Sequence, residues 1–555
     1  MKKRNTKLLM IPLLAMLLVG CNNISSSATP VSEPASEEIV SSEEVPSSTE
    51  VLSSEESSES VSVSLDTTQY ELATTPNYSN RALDHSIGMT ALDSVGVQKM
   101  MVVPVVFTDT VSHATPEVHD MISRAFFGAS EETGWESVAS YYHKSSYGNL
   151  TLTGELLPYF YSTMNTYQFA NLEVSPSQQF VDEDGINYWD QTHYLIEEIY
   201  NTLPAETFLE YDQDGDGWVD AFWMVYIANI YHVGGGENDP FWAYKFYWNR
   251  YPRAEKPTPN TYAWASFNFA KTGDGYSFEE PDSHTFIHET GHLFGLPDYY
   301  DYDRKTAPAG AKDMMDHNII DHNIYSKYRL NWTKPYVVKG HADIYLRPAE
   351  TSGDFILIKD GWNGHTYDEY ILIEYYTPTG LNEKDSSGDG YTTRILESSS
   401  TIKGFTIPGV RMWHVDSRLL TYLYEEVDGT YSLVSTEWGD EIVNDEYSYT
   451  VIGPSNTTSR SRDPEGVGQN TNKLLHLMDA QGVTGRVGNW LRTSSSARDQ
   501  SLFQTGQIIA ADDWKRYIQT STTFNDGTEV GYSVEIGAMD ENGVQIIIRK
   551  APTLA

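Results

Sequence analysis

The hydrophobic pattern of the chain first becomes regular at Met100 to Phe107, an apolar run ended by Thr108 and Asp109. Such a run is typical of a buried strand, although Pro104 lacks the amide hydrogen that a strand residue normally donates. The pattern then predicts, in chain order, a helix over Val118 to Ser140 with a break near Gly128 or Gly134, a strand over Leu150 to Leu157, a helix over Tyr188 to Leu203, a strand over Ala221 to Ile230 and a helix over His284 to Gly295.

The pattern changes near Pro335, after which short alternating segments are separated by turn residues. The strands predicted there are Ala342 to Leu346, Phe355 to Lys359, Tyr370 to Tyr375, Gly409 to Val415, Tyr447 to Ile452 and Val544 to Arg549. We therefore predict an α+β fold, in which a domain over residues 98–334 is followed by a β-rich, sandwich-like domain over residues 335–555.

The N-terminus has the pattern of a secretory signal peptide, with a basic start and an apolar stretch, Leu8 to Val19, that is too short to read as a spanning helix. Leu18 to Cys21 resembles a bacterial lipobox, which implies cleavage before Cys21 and lipidation of its sulfur. The alternative is an ordinary signal sequence that contains a cysteine. With lipid attached, the protein would be held at the extracellular face of the bacterial membrane, from which it could be shed.

Three N-terminal segments follow from this interpretation. Residues 1–21 are predicted to be a lipoprotein signal peptide, and residues 22–65, rich in Ser and Glu and free of Lys and Arg, a disordered tether. Residues 66–97 are mixed in composition and are interpreted as a leader or as the remnant of a propeptide. Because Cys21 is the only cysteine, an intramolecular disulfide is excluded, and so is latency through a cysteine that ligates a metal.

Composition narrows the class of protein. An aromatic content of 13% indicates that most of the chain folds. The formal net charge of −41 argues against a nucleic-acid partner, since binding phosphate needs clustered Lys and Arg. This acidity suits a secreted protein that binds cations, but solubility alone would also account for it.

His288 and His292 are four residues apart in a predicted helix, so their imidazoles lie on one face and can reach one metal ion. Glu289 follows the first histidine, and its carboxylate can take the proton of an attacking water and later deliver it to a leaving amine.

The residues after this helix favour a turn back towards it. Gly295 can adopt a positive φ and end the helix, and Pro297 opposes its continuation. Asp298 can then offer a carboxylate as third ligand, which leaves the fourth position of a zinc ion open, as catalysis requires.

The segment His288 to Asp301 (HETGHLFGLPDYYD) is similar to the immune inhibitor A family of bacterial metalloproteases, which are metzincin-like. The resemblance covers roughly Val97 to the C-terminus. The other segments that resemble the family, in the same order, are Met101 to Asp109, Tyr141-Tyr142, Ser146 to Gly148, Asp313 to Asp316, Ser326-Lys327, Leu330 to Trp332, Glu369 to Tyr375 and Gly409 to Asp416.

The resemblance implies a zinc endopeptidase whose metzincin-like catalytic domain occupies residues 98–334. The site residues that it implies are the zinc ligands His288, His292 and Asp298 and the general base Glu289. It also implies a methionine turn beneath the metal, for which Met315 is preferred to Met314. Metzincins more often have His as the third ligand, so the assignment of Asp298 is open. Asp301 or Asp303 could be the third ligand instead.

A second metal site is predicted in the acidic loop before Ala221. Carboxylates stand at positions 1, 3, 5 and 9 of this loop, with a glycine at position 6, as in calcium loops. Trp223 replaces the glutamate of a full EF-hand, so we predict a truncated loop that binds structural calcium; the alternative is an acidic turn. The predicted ligands are Asp212, Asp214, Asp216 and Asp220, with the carbonyl of Trp218.

The leading hypothesis is a monomeric, lipid-anchored zinc endopeptidase that hydrolyses extracellular proteins. Phe241 to Tyr244 would then be either an edge of the substrate cleft or a loop of packed rings. A different class is a surface lipoprotein that binds a glycan or protein and uses the protease fold as a scaffold. A third hypothesis is another zinc hydrolase, such as a cell-wall amidase.

Overall fold

The computed structural model shows most of the chain beyond residue 67. The described residues are 68–73, 92–172, 191–230, 240–248, 251–271, 279–302, 306–387, 391–393, 400–427, 430–445, 447–457, 472–481, 486–487, 490–491, 496–518 and 522–552. By its contacts the chain divides into residues 1–65 and 66–555, and the described residues all belong to the second unit. The predicted signal peptide with Cys21, the predicted tether and residues 74–91 lie outside the described residues.

Helices and strands are both abundant, so the prediction of a mixed α+β fold is confirmed. The α-helices of the described ranges are α1 (Pro116–Phe127), α2 (Val138–Ser145), α3 (Thr166–Ala170), α4 (Gln191–Thr202), α5 (Ala205–Leu209), α6 (His284–Leu293), α7 (Met314–His317), α8 (Ile324–Arg329), α9 (Ala349–Ser352) and α10 (Glu383–Ser386).

In chain order the described strands are β1 (Thr68–Leu72), β2 (Gly96–Val106), β3 (Leu150–Leu156), β4 (Phe160–Tyr161), β5 (Phe222–Tyr226), β6 (Tyr244–Tyr247), β7 (Thr261–Ser266), β8 (Tyr336–Leu346), β9 (Phe355–Ile358), β10 (Glu369–Tyr376), β11 (Tyr391–Thr393), β12 (Ser400–Ile402), β13 (Gly409–Asp416), β14 (Leu419–Val427), β15 (Thr430–Gly439), β16 (Asn444–Asp445), β17 (Ser448–Ile452), β18 (Leu475–Leu477), β19 (Arg486–Val487), β20 (Trp490–Leu491), β21 (Ile508–Ile509), β22 (Tyr532–Asp540) and β23 (Gly543–Lys550).

A six-stranded sheet has the order β3-β2-β5-β7-β6, with β4 paired to β2. All its pairings are parallel except that of β6, which runs antiparallel to β7 at one edge. Side chains of β2 alternate between two cores: Met100 and Val102 pack on one face, and Met101 and Val103 on the other. Burial on both faces is what the continuous apolar run predicted.

The position of Pro104 follows from the pairing of β2. Odd-numbered residues of β2 hydrogen-bond to the β5 side, as Val105 does through its carbonyl, and even-numbered ones to the β3 and β4 side, as Val102 does. Pro104 is even-numbered, and on that side the pairing with β3 ends at Val102 and the pairing with β4 begins at Val105. The missing amide hydrogen therefore falls in a gap between two strands, where no ladder bond is lost.

The other predicted elements are present within the described residues, some with different bounds. The helix predicted over Val118 to Ser140 is two helices, α1 and α2, because residues 128–137 between them are not α-helical, and the strand predicted over Ala221 to Ile230 ends at Tyr226. Helix α1 ends at Phe127 and is capped by Gly128, α4 ends just before Leu203 and Pro204, and α6 covers the predicted zinc helix. Each predicted strand after Pro335 corresponds to a strand of the structure.

These C-terminal strands form a nine-stranded sheet of order β18-β13-β10-β9-β8-β23-β22-β21, in which β1 pairs with β8, and a four-stranded sheet of order β15-β14-β17-β16. The apolar core around α6 also receives Leu372, Trp413 and Leu475 from the larger sheet. Side chains from both sides of residue 335 therefore share one core. Within the described ranges, no helix has the length and apolar character needed to cross a membrane.

Candidate metal centre

Helix α6 is fixed by contacts on several sides. Tyr142 donates a hydrogen bond from its hydroxyl to the Ile287 carbonyl (2.7 Å), and the Trp223 indole donates to the Thr290 hydroxyl (3.2 Å). Phe286 packs against aromatic rings of α1 and β5. A helix with this little freedom holds its side chains in fixed directions, which a metal site requires.

His288, His292 and Asp298 meet at the C-terminal half of α6. Their ligand atoms all lie within 4.8 Å of one another. The Oδ1 atom of Asp298 is 3.0 Å from Nε2 of His288 and 3.3 Å from Nε2 of His292. Two ligands at the usual zinc distances of roughly 2.0–2.2 Å in tetrahedral geometry are about 3.4 Å apart. The three side chains thus have the spacing that a zinc ion needs.

Both imidazoles direct their Nε2 atoms towards the Oδ1 atom of Asp298. The Nδ1 atoms donate to backbone carbonyls, that of His288 to Met314 (2.8 Å) and that of His292 to Leu296 (2.7 Å). A hydrogen on Nδ1 leaves the lone pair on Nε2, the form in which neutral histidine binds a metal. The donor set of two imidazoles and one carboxylate fits zinc.

The turn after α6 brings Asp298 back to the histidines. Gly295 has a φ of 82°, a conformation that side chains disfavour, and its amide bonds to the His292 carbonyl as the helix ends. Burial would raise the pKa of Asp298, but the two histidines outweigh burial and hold that pKa well below its usual value. Asp298 therefore stays ionised, as a ligand must.

The two other carboxylates considered for this position are placed differently. Asp301 accepts hydrogen bonds at Oδ2 from the amide (3.1 Å) and the hydroxyl (2.6 Å) of Thr306, and it is not among the converging ligand atoms. Asp303 lies outside the described residues.

Glu289 is buried beside this cluster, with 7% of its surface exposed. Burial raises the pKa of its carboxyl, His288 lowers it and Asp298 raises it, with a net value of about 8. A divalent cation nearby would favour the ionised form. The carboxyl can therefore exchange a proton near neutral pH.

Met315 lies directly beneath α6. A Cβ atom added at Gly291 would come within 2.5 Å of the Met315 sulfur, so helix and side chain meet where only glycine leaves room. Met314 contributes its carbonyl, which accepts from His288. The two methionines thus support the same histidine-bearing helix in different ways.

The acidic loop places three of its five predicted ligands together. Ligand oxygens of Asp212, Asp214 and Asp216 lie within 4.8 Å of one another. Gly215 and Gly217 donate their amides to the two oxygens of Asp212 (2.9 and 3.1 Å), which closes the turn. The predicted ligand Asp220 lies in the same loop but outside this group of carboxylates. The predicted carbonyl ligand of Trp218 stays a prediction.

Strand β6 contacts helix α6 and is the last strand of its sheet within the described residues. It contains Tyr244, which is half-exposed, and it pairs with β7 on one side. Phe241 is buried in the core, whereas Trp242 is partly buried. Within the described residues, the aromatic segment thus combines packed rings with the last strand of a sheet.

Comparisons with known proteins do not identify a family for the chain. No protein-family model matches the chain, and no curated protein matches it.

Three groups at the centre were not predicted from the sequence. Tyr302 donates its hydroxyl to Oδ2 of Asp298 (2.5 Å), and Asn456 bonds to the backbone of the loop that carries Asp298. His284, the first residue of α6, lies between Asp282 and Asp385. Of these three residues, only Tyr302 is near a predicted ligand in sequence, because it follows Asp298 by four residues.

Proposed function

We propose that the protein is a zinc endopeptidase in which His288, His292 and Asp298 hold the metal and Glu289 is the general base. The convergence of the two Nε2 atoms and Oδ1 at zinc spacing is the observation that carries the proposal. The resemblance of the same segment to the immune inhibitor A family supports it. Anchoring through Cys21 stays a prediction of the sequence.

The chemistry divides between the metal and the protein. A bound zinc ion would polarise the scissile carbonyl and make an attacking water more acidic. Glu289 would accept the proton of that water and return it to the leaving amine, since its carboxyl is buried beside the cluster and a nearby cation would keep it ionised. The two histidines are held with their Nε2 atoms outwards by backbone carbonyls. Among the described residues β6 is the last strand of its sheet, and an extended peptide that paired with it would be a protein substrate.

The acidic loop has a separate role in this proposal. Asp212, Asp214 and Asp216 would hold a calcium ion that stiffens the connection into β5, and the closeness of their oxygens supports this role. This role is structural, because the loop contributes no side chain to the histidine cluster.

The test uses the protein from residue 66 onwards with denatured casein as substrate. We expect cleavage at internal bonds, its loss on zinc chelation and its recovery when zinc is returned. Glu289→Gln keeps the shape of the side chain and should lower kcat/KM by about 10²–10⁴-fold, with zinc still bound at one ion per chain. Glu350→Gln is the control, because Glu350 bonds to Thr379 (2.6 Å) and lies in α9.

Each other result of this test supports a different conclusion. If no zinc binds, the ligand assignment is wrong and a surface-binding protein becomes the better hypothesis. If zinc binds but Glu289→Gln cleaves at the wild-type rate, Glu289 is not the general base. If cell-wall fragments are cut and casein is not, the enzyme is an amidase.

A further inference from the structure

The loop between α6 and α7 is bordered by segments from far along the chain. The Leu477 amide donates to the Pro308 carbonyl (2.8 Å), and the Ala497 amide donates to the Gly310 carbonyl (2.8 Å). Two further contacts come from residues 456 and 457, close to Asp298. The loop that supplies the third metal ligand is therefore held by the C-terminal part of the chain.

Asn456 makes the most extensive of these contacts. Its side-chain amide donates to the Tyr299 carbonyl (3.0 Å) and to the Leu475 carbonyl (2.9 Å), and its side-chain oxygen accepts from the Leu475 amide (3.1 Å). Lys473 donates to the Asn456 carbonyl (3.2 Å). Asn456 is 1% exposed, so these bonds are made away from water. The side chain thus joins strand β18 to the residue that follows Asp298.

Tyr302 connects the same segment to the carboxylate itself. Its backbone amide donates to the Thr457 carbonyl (3.0 Å), which fixes the start of the side chain. Its hydroxyl donates to Oδ2 of Asp298 (2.5 Å), while Oδ1 faces the two histidines. One carboxylate oxygen is therefore held by the phenol, and the other is left to the metal.

We propose that Asn456 and Tyr302 are positioning residues that keep Asp298 in place as a ligand bound through one oxygen. The inference rests on the proposed function, because it takes Asp298 to be the third zinc ligand. Without the phenol the carboxylate can rotate about its terminal bond, and without Asn456 the loop backbone loses its link to β18. Groups that hold metal ligands in this way typically change metal affinity by about 10–100-fold.

The experiment measures zinc affinity in the whole protein from residue 66 by competition with a chromophoric chelator. We expect Tyr302→Phe and Asn456→Ala each to raise the zinc dissociation constant by about 10–100-fold. The absorption spectrum of the cobalt-substituted protein should change in both, because the ligand geometry changes.

Matched control variants separate positioning from stability. Tyr345 is 53% exposed, as Tyr302 is, and its hydroxyl contacts the Asp540 carboxylate at 3.4 Å. Asn382 is 2% exposed and also bridges two backbone groups, those of Thr377 and Asp321. Tyr345→Phe and Asn382→Ala should leave zinc affinity unchanged, although Asn382→Ala should lower the free energy of unfolding of the apoprotein as Asn456→Ala does.

The outcomes distinguish the two proposals. If Tyr302→Phe and Asn456→Ala bind zinc as tightly as the wild type, the contacts are structural only and the inference fails, while the proposed function stands. If the wild type binds no zinc, the proposed function fails and this inference with it. If Asn456→Ala does not fold, Tyr302→Phe decides alone, since it removes one atom from a half-exposed ring.

Discussion

His284 lies at the start of the helix that carries the proposed metal ligands His288 and His292, and it is buried. Its Nδ1 atom is 2.7 Å from Asp282 and its Nε2 atom 3.3 Å from Asp385, while the ring stacks on Trp135 at 4.2 Å. Burial alone would lower the pKa of His284, but Asp385 and Asp282 outweigh it and raise the pKa to about 9. A charged histidine between two carboxylates thus fixes the first turn of α6.

The stability of the protein should depend on pH through this histidine. The pKa of His284 is about 9 in the folded state, against a usual value of 6.5, so the folded state holds the proton more tightly. The stabilisation is complete below pH 6.5 and is lost as the pH rises through 9, and it amounts to at most about 3 kcal/mol.

Urea unfolding between pH 6 and pH 10 would measure this effect. We expect the difference in free energy of unfolding between wild type and His284→Gln to shrink over that window. A constant difference would mean that His284 is neutral in the folded protein. His317→Gln is the control, because His317 is partly exposed and pairs with its neighbour Asp316.

Local spacing explains which site residues were predictable. His288, Glu289 and His292 lie within two turns of one helix, so sequence spacing alone determines their geometry. Asp298 follows from the glycine that ends that helix. Asn456 and Asp385 reach the same region from segments far along the chain, and a local residue pattern contains no information about such contacts.

The same difference between local patterns and long-range contacts decides which helices and strands were predictable. Strand β2 and helix α6 were predicted because their apolar patterns are long and regular. Strand β7 was missed although all six of its residues are buried, because a short buried strand shows no alternation between apolar and polar positions. The strand orders of the sheets were likewise out of reach, since many pairings satisfy the same pattern.

The acidic loop leads to a prediction about how calcium changes the stability of the fold. Three carboxylates within 4.8 Å repel one another, and a calcium ion would remove that repulsion. Calcium at 100 times its dissociation constant should stabilise the fold by about 2.7 kcal/mol.

Thermal unfolding with and without calcium would test this prediction. We expect calcium to raise the Tm of the wild type and to have little effect on the Tm of Asp214→Asn. Asp120→Asn, which removes an exposed carboxylate paired with Arg124, should respond to calcium as the wild type does. If the wild-type Tm does not change with calcium, the loop is an acidic turn.

At the scale of the whole molecule, the two predicted domains share one apolar core. Side chains such as Phe355, Leu372 and Trp413 belong to the same apolar cluster as α6. The C-terminal segments also hold the loop that carries Asp298. We therefore expect residues 66–334 alone to lack both a closed core and a stable metal site.

Near-ultraviolet circular dichroism and urea unfolding of residues 66–334, compared with residues 66–555, would test this expectation. The shorter chain should show no cooperative transition and should bind zinc weakly. A cooperative transition with zinc affinity equal to that of the longer chain would show instead that the region before residue 335 folds by itself.

Strand β1 determines how the N-terminal end of the folded body meets its surroundings. It pairs with β8 over Tyr336 to Ala342, where β23 takes over the same side of that strand. Any soluble version that begins after residue 73 would expose the backbone groups of this stretch as an open edge. Open edges recruit other strands, including those of identical molecules. We therefore expect the choice of starting residue to affect self-association, because the five residues of β1 cover this edge.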